Sequence, residues 1–390
     1  MISLWNAMRT SSAAVSSTAI KPAKSHYVVL DGLRGVASLM VVVFHLFETF
    51  NGGSSAKQIV NHGYLAVDFF FLLSGFVIAY AYDERWGRMT QWEFYKRRLI
   101  RLQPMVVFGS LFGAALFYLQ QGPAFPLVAV TPVWKMLLVM LVGCTLVPLP
   151  PSADIRGWRE MHPLNGPAWS LFLEYIGNIL YAIGLRKLSN RVLGIFVLFA
   201  AALLLHHAIF GFRGDLVGGW ILNARQLNIG FARLLFPFFA GILLMRLGKR
   251  IRIKGAFPTC SLLLVVALSL PRFGDMQHRW INGLYEALCV IVVFPIIVAI
   301  GAGEKNVDGI SIRVARFFGD LSYPLYITHY PLIYVYTAWV VRDKITPAQG
   351  APWGVLLLFG SVAIAYLSFK LCDLPARRWL SRRFLEKTFQ

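Results

Sequence analysis

What most constrains this chain is the length of its apolar runs. Residues near 34–50, 63–82, 105–120, 133–148, 169–185, 192–210, 230–245, 257–270, 281–301, 322–341 and 353–372 are dominated by Leu, Val, Ile, Phe and Ala. A helix needs about 17–25 such residues to cross a bilayer. Backbone polar groups in lipid must be satisfied within the segment, which makes the helix the spanning element for runs of this kind. Of the 390 residues, 57% are hydrophobic and 14% charged, whereas soluble domains hold about 45–50% apolar and about 25% charged residues. The expected fold class is therefore all-α, a polytopic transmembrane helical bundle.

Orientation follows from Lys and Arg, which favour the cytoplasmic side in short loops. If all eleven runs cross, the basic segments RKLSNR (186–191) and RLGKRIRIK (246–254) fall outside. Run 133–148 carries Lys135 and leads into PLPP. Taking it as re-entrant or interfacial leaves ten spans, removes the conflict and puts both termini in the cytoplasm. The expected organisation is a flexible cytoplasmic arm over 1–26, a transmembrane domain over 27–376 and a basic cytoplasmic tail over 377–390. The net charge of +20 then lies on a cytoplasmic membrane face, where anionic lipid and anionic cytosolic ligands account for it and nucleic acid is not needed. The four cysteines have neither metal-ligand nor disulfide spacing, so no metal is expected.

The polar residues inside the apolar runs carry the functional information. In DGLRGVASLMVVVFHL (31–46), Arg34 and His45 are eleven residues apart. At about 100° and 1.5 Å per residue they share a helix face and stand roughly 16 Å apart along the axis. Alone, Arg34 reads as a snorkelling anchor and His45 as a helix–helix hydrogen bond. Other runs carry matching groups: Asp68 and Ser74 in VDFFFLLSGF, Arg98 and Arg101 in FYKRRLIRLQP, Ser170 and Glu174 in PAWSLFLEYIGN, and Tyr326 and His329 in LSYPLYITHYPL. Ionisable groups at depth are costly and usually face a cavity, a partner or a pathway.

These motifs, in this order from about residue 27 to 376, resemble the membrane-bound acyltransferase family 3. The family is similar in moving an acyl group, commonly acetyl from acetyl-CoA, to a hydroxyl on a sugar or other acceptor, often in bacterial cell-surface polysaccharide or peptidoglycan. The resemblance implies a multi-pass protein of the bacterial inner membrane, with acyl-CoA as donor and a glycan or other hydroxyl-bearing acceptor. Some members carry an extracytoplasmic esterase-like domain, and none is expected here. Where a second acidic residue often follows the glutamate of WSLFLE, this chain has Tyr175.

Acyl transfer to an alcohol needs a base, and histidine is the side chain suited to that near neutral pH. The expected catalytic set is His45 as base, Glu174 or Asp68 as its orienting carboxylate, and His329. The expected donor-binding set is Arg34, Arg98 and Arg101 on the coenzyme A phosphates, with Ser74 and Tyr326. No serine or cysteine sits in a nucleophile motif, which favours direct transfer. A proton-coupled transporter or flippase is the alternative, because it too would bury ionisable groups across several helices. A purely structural scaffold leaves those groups unexplained.

Overall fold

The computed structural model describes residues 27–52, 58–273, 278–304 and 309–385. The expected arm over 1–26 and the last five residues of the expected tail lie outside them. Among the described residues, thirteen α-helices form the bundle: α1 (Val28–Glu48), α2 (Ala66–Tyr82), α3 (Gln91–Ala115), α4 (Val133–Gly143), α5 (Ala168–Ile183), α6 (Asn190–Phe210), α7 (Ala224–Leu247), α8 (Ala256–Ser269), α9 (Trp280–Leu288), α10 (Phe294–Gly301), α11 (Gly309–Arg342), α12 (Pro347–Ser368) and α13 (Leu374–Phe384). Single π-helical turns, Cys289–Val293 and Phe369–Asp373, join α9 to α10 and α12 to α13. There is no named strand among the described residues.

Six described helical stretches are long and apolar enough to cross a bilayer: Val28–Asn51, Gly63–Arg85, Asn190–Phe210, Ala224–Leu247, Trp280–Gly301 and Pro347–Phe384. That is fewer than the ten expected. α5 and α8 are apolar but have 16 and 14 residues, about 24 and 21 Å at 1.5 Å per residue, short of a hydrocarbon core of about 30 Å. α4 has only 11 residues, about 16 Å, and cannot cross by itself. α3 and α11 are long, but charged residues at their starts (Lys96, Arg97, Arg98 and Arg101; Arg313, Arg316 and Asp320) lower their hydropathy.

Two close helix pairs form the centre. α1 packs along α11, and α2 along α7. Small residues permit the approach, as they do in membrane bundles generally. A side chain on Gly35 would strike the backbone of Phe318, and one on Gly75 would strike the carbonyl of Phe238. At the periphery, α6 leaves Ile195, Leu198 and Phe199 about two-thirds exposed, as a lipid-facing surface would.

α11 explains how irregular backbone is satisfied at depth. Pro331 has no N–H, which frees the carbonyl of Ile327 four residues earlier. Asn165 Nδ2 donates to that carbonyl at 2.9 Å, so the loop before α5 is tied to the middle of α11. The adjoining fold of 144–167 thereby becomes a wall of the interior and not a free surface loop.

Candidate active site

Two interior cavities lie along α1. The first, of about 230 Å³, is lined by Arg34, Ser74, Arg98, Arg101, Glu174 and Tyr326 among others. Its charged groups converge from three helices, α1, α3 and α5. The start of α3 is set by a capping box, in which Thr90 accepts from the Glu93 N–H and the Glu93 carboxylate accepts from the Thr90 N–H. Arg98 and Arg101 then follow three residues apart on one face. Arg98 Nη2 donates to Glu174 Oε1 at 2.8 Å, and Ser74 Oγ donates to the same oxygen at 2.8 Å. Arg34 is held by Asp31 at 2.9 Å, and the Arg101 guanidinium lies 6.0 Å from the centre of the Tyr323 ring.

The second cavity, of about 500 Å³, is lined by His45, Glu48, Glu160, Trp169, Arg233 and Tyr334 among others. His45 Nδ1 is 2.7 Å from Glu48 Oε2. An ionised carboxylate only accepts, so Nδ1 carries the proton and neutral His45 keeps its lone pair on Nε2. The ring is fixed by neighbours: Tyr330 meets it edge-on at 4.6 Å and His329 stacks on it at 5.6 Å. His329 is fully buried; its Nδ1 donates to the carbonyl of Leu325 at 3.0 Å. Val67 and Tyr326 line both cavities, so the two are separated there by the thickness of those side chains. The Tyr326 hydroxyl shares a 2.7 Å hydrogen bond with Ser170 Oγ.

Glu160, in the segment between α4 and α5, is a further titratable group of the larger cavity. Tyr334 OH donates to its Oε2 at 2.5 Å. Burial pushes its carboxyl up from the usual 4.5 to about 7, against the opposing pull of Arg156. Arg156 is itself fully buried, donating to the carbonyl of Pro163 and lying 3.5 Å from the centre of the Tyr334 ring.

The sequence-predicted residues are thus partly gathered. Arg34, Ser74, Arg98, Arg101, Glu174 and Tyr326 share one cavity, and His45 faces the other. The expected contact between His45 and Glu174 or Asp68 is not found. Glu174 is engaged by Arg98 and Ser74, and Asp68 is buried against Arg233, whose Nη2 reaches its Oδ2 at 2.7 Å. The carboxylate on His45 is Glu48, one turn along the same helix. That i, i+3 spacing is a signal legible in the sequence. Arg233, alone within an apolar run, also carried a signal, whereas nothing local marks Glu160. Among the described residues, no group of three or more His, Cys, Asp and Glu is placed to hold a metal ion.

An all-helical bundle with two adjoining interior cavities, one basic and one holding a carboxylate-paired histidine, defines the class as a membrane-embedded protein with a site suited to group transfer. The chain belongs to the acyltransferase 3 family, whose acyltransferase-domain model matches residues 27–370. It is 33% identical over 196 residues to "Protein 2 in picA locus" of Rhizobium radiobacter, covering 47% of this chain and 96% of that one. It is 24% identical over 371 residues to the O-acetyltransferase OatA of Staphylococcus aureus, covering 90% of this chain and 57% of that protein. It is 25% identical over 390 residues to the putative peptidoglycan O-acetyltransferase YrhL of Bacillus subtilis, covering 92% and 56%. The chain thus spans little more than half the length of the last two. No solved structure matches it.

Proposed function

We propose that this chain is an integral inner-membrane O-acyltransferase that moves an acyl group, acetyl in the first instance, from cytosolic acyl-CoA to a hydroxyl of a cell-envelope glycan such as peptidoglycan or exopolysaccharide. The observation that carries the reading is the pair of cavities meeting at Val67 and Tyr326, with three arginines in one and His45 in the other. The similarity to O-acetyltransferases supports the reaction type. In the orientation expected from the positive-inside rule, with ten spans, a re-entrant 133–148 and both termini cytoplasmic, the arginine cavity opens to the cytosol and the histidine cavity to the outside.

In this mechanism Arg34, Arg98 and Arg101 hold donor phosphates by charge-assisted hydrogen bonds. The pantetheine arm runs along α1, with Ser74 and Tyr326 beside it, over the roughly 16 Å that separate Arg34 from His45. His45 Nε2 takes the proton of the acceptor hydroxyl as its oxygen attacks the thioester carbonyl. The tetrahedral intermediate collapses by breaking the C–S bond, and the departing thiolate takes the proton back from His45. Glu48 holds the imidazole in the required tautomer and stabilises the imidazolium formed in between. Glu174 serves this site by fixing Arg98 and Ser74, and His329 by backing the His45 ring.

The test is transfer of radiolabel from [acetyl-¹⁴C]acetyl-CoA by the purified protein in nanodiscs to isolated cell-envelope glycan. Alkali-labile label on the glycan, lost in His45→Gln, is the expected result. Binding without ester formation, together with movement of an acceptor across the bilayer, overturns it in favour of a transporter or flippase.

A further inference from the structure

Beyond the smaller cavity lies a groove of which the mechanism above uses Arg98 and Arg101 alone. It has a volume of about 590 Å³ and is walled by α3 on one side and α13 on the other. α3 contributes Arg97, Arg98 and Arg101, and α13 contributes Arg377, Arg378 and Arg382. Arg85, from the turn after α2, makes a seventh arginine, and among the described residues no Asp or Glu lines the groove. The spacing on α13 puts Arg378 and Arg382 one turn apart on one face. The end of α13 is tied to α3 by Lys96 Nζ, which donates to the carbonyl of Phe384 at 3.5 Å. Behind the groove, Asp373 is buried and holds Arg377 at 3.3 Å.

We infer that this groove is a binding site for a compact, multiply phosphorylated headgroup, and that it takes the 3′-phosphoadenosine diphosphate end of the acyl donor. The inference rests on the acyl-CoA reading above and adds to it a subsite and residues that reading does not include. Three observations carry it. Arg98 is paired with Glu174 and Arg377 with Asp373, yet seven guanidinium groups crowded into one groove still repel one another, and a polyanion relieves that repulsion. The Nε atoms of Arg97 and Arg98 are buried with no hydrogen-bond partner, an arrangement a phosphate oxygen satisfies. Finally, the groove shares Val77, Ile78, Arg98 and Arg101 with the first cavity. A ligand seated in it can therefore extend an arm inward past Arg98 towards Tyr326, which a headgroup bound only at the membrane surface does not do. The α13 arginines lie beyond residue 370, where the family match ends. They are a property of this chain that the family motifs do not report.

An anionic lipid headgroup offers the same phosphate chemistry, and the experiment separates the two sources. The full chain is placed in phosphatidylcholine nanodiscs, and binding of CoA, 3′-dephospho-CoA and 4′-phosphopantetheine is measured by calorimetry. The wild type is expected to bind CoA roughly tenfold more tightly than 3′-dephospho-CoA, with 4′-phosphopantetheine weakest. Arg378→Gln/Arg382→Gln, at two exposed positions, is expected to weaken CoA binding roughly tenfold and to erase that preference. If the wild type binds CoA and 3′-dephospho-CoA alike and the double variant matches it, the groove is not the headgroup site, while the donor reading stands. If the wild type binds none of the three, the donor reading fails and this inference with it. If 20% phosphatidylglycerol in the disc weakens CoA binding in the wild type but not in the double variant, lipid holds the groove and the nucleotide assignment is overturned.

Discussion

Replacing Glu48 by Gln tests whether the pair on α1 is chemistry or helix decoration. The substitution keeps the size of the side chain, and its carbonyl oxygen can still accept from Nδ1 of His45, so the neutral tautomer survives. What is lost is the negative charge 2.7 Å from a ring that becomes cationic in the transition state. Two unit charges about 4 Å apart interact by about 4 kcal/mol at an effective dielectric of about 20. The two side chains are 16% and 28% exposed, so solvent reduces this to about 2–3 kcal/mol, a loss of roughly 30- to 150-fold in turnover. The same pair contributes only about 0.2–0.5 kcal/mol to the helix, so the melting temperature in detergent should hardly move.

The assay is the initial rate of ester formation on isolated envelope glycan, with alkali-released acetate from complemented cells as the in vivo counterpart. The loss should fall on kcat, with KM for the donor unchanged, because the charge acts on the reacting proton and not on the phosphates. In a His45→Gln background, Glu48→Gln should cost nothing more, since residues that act as a unit are not additive. Wild-type turnover in Glu48→Gln, or an equal further loss in the double variant, refutes the dyad.

Other consequences are as definite. Glu160 carries its proton more tightly in the folded protein, from an ordinary 4.5 to about 7, so its contribution to stability is fully present below about pH 4.5 and is lost as pH rises through about 7. The difference is about 3 kcal/mol. Glu160→Gln should flatten that part of the stability–pH curve and raise the melting temperature above pH 7, and an unchanged curve rejects the assignment. Asp68→Asn should strip Arg233 of its counter-charge inside the bundle and cost about 3–5 kcal/mol, read as lost monodisperse protein and not as altered KM. Arg98→Ala/Arg101→Ala should weaken acyl-CoA binding by a factor that shrinks at high salt; unaltered affinity removes the cytosolic-donor assignment. Reporter fusions at Lys187 and Ser152 should report cytoplasm and exterior respectively, and a shared side refutes the ten-span topology.

Much of the site was legible because depth in a membrane is expensive. Arg34, Ser74, Glu174 and Tyr326 lie in apolar runs and Arg98 and Arg101 lead into one, and all six reach one cavity. Pairing was less legible. Asp68 and Arg233 are 165 positions apart, and nothing in either run says which opposite charge the other will meet once α2 and α7 close on each other. His45 meets no carboxylate from Asp68 or Glu174 on other helices; its partner is the acid three residues along its own. Glu160 had no local mark at all, because its burial depends on a Pro-rich segment folding inward, and that follows from Asn165 finding the carbonyl that Pro331 sets free on α11.

The ten expected spans and the six apolar stretches differ for a related physical reason. Hydropathy asks whether a helix is apolar enough for lipid on all sides, and α3 and α11 are not among the six stretches that satisfy it. Yet α3 carries Arg98 and Arg101, and α11 carries Tyr326 and His329. α11 is sheltered by α1 and α12, and the polar side of α3 by α5, α11 and α13. A helix that faces protein and a cavity is released from the requirement to be apolar, and only such a helix can present arginines to a phosphate. The residues that disqualify α3 from the count are the same residues that build the proposed donor site. In a bundle of this kind, then, a long helix that fails the apolar criterion is the first place to look for function.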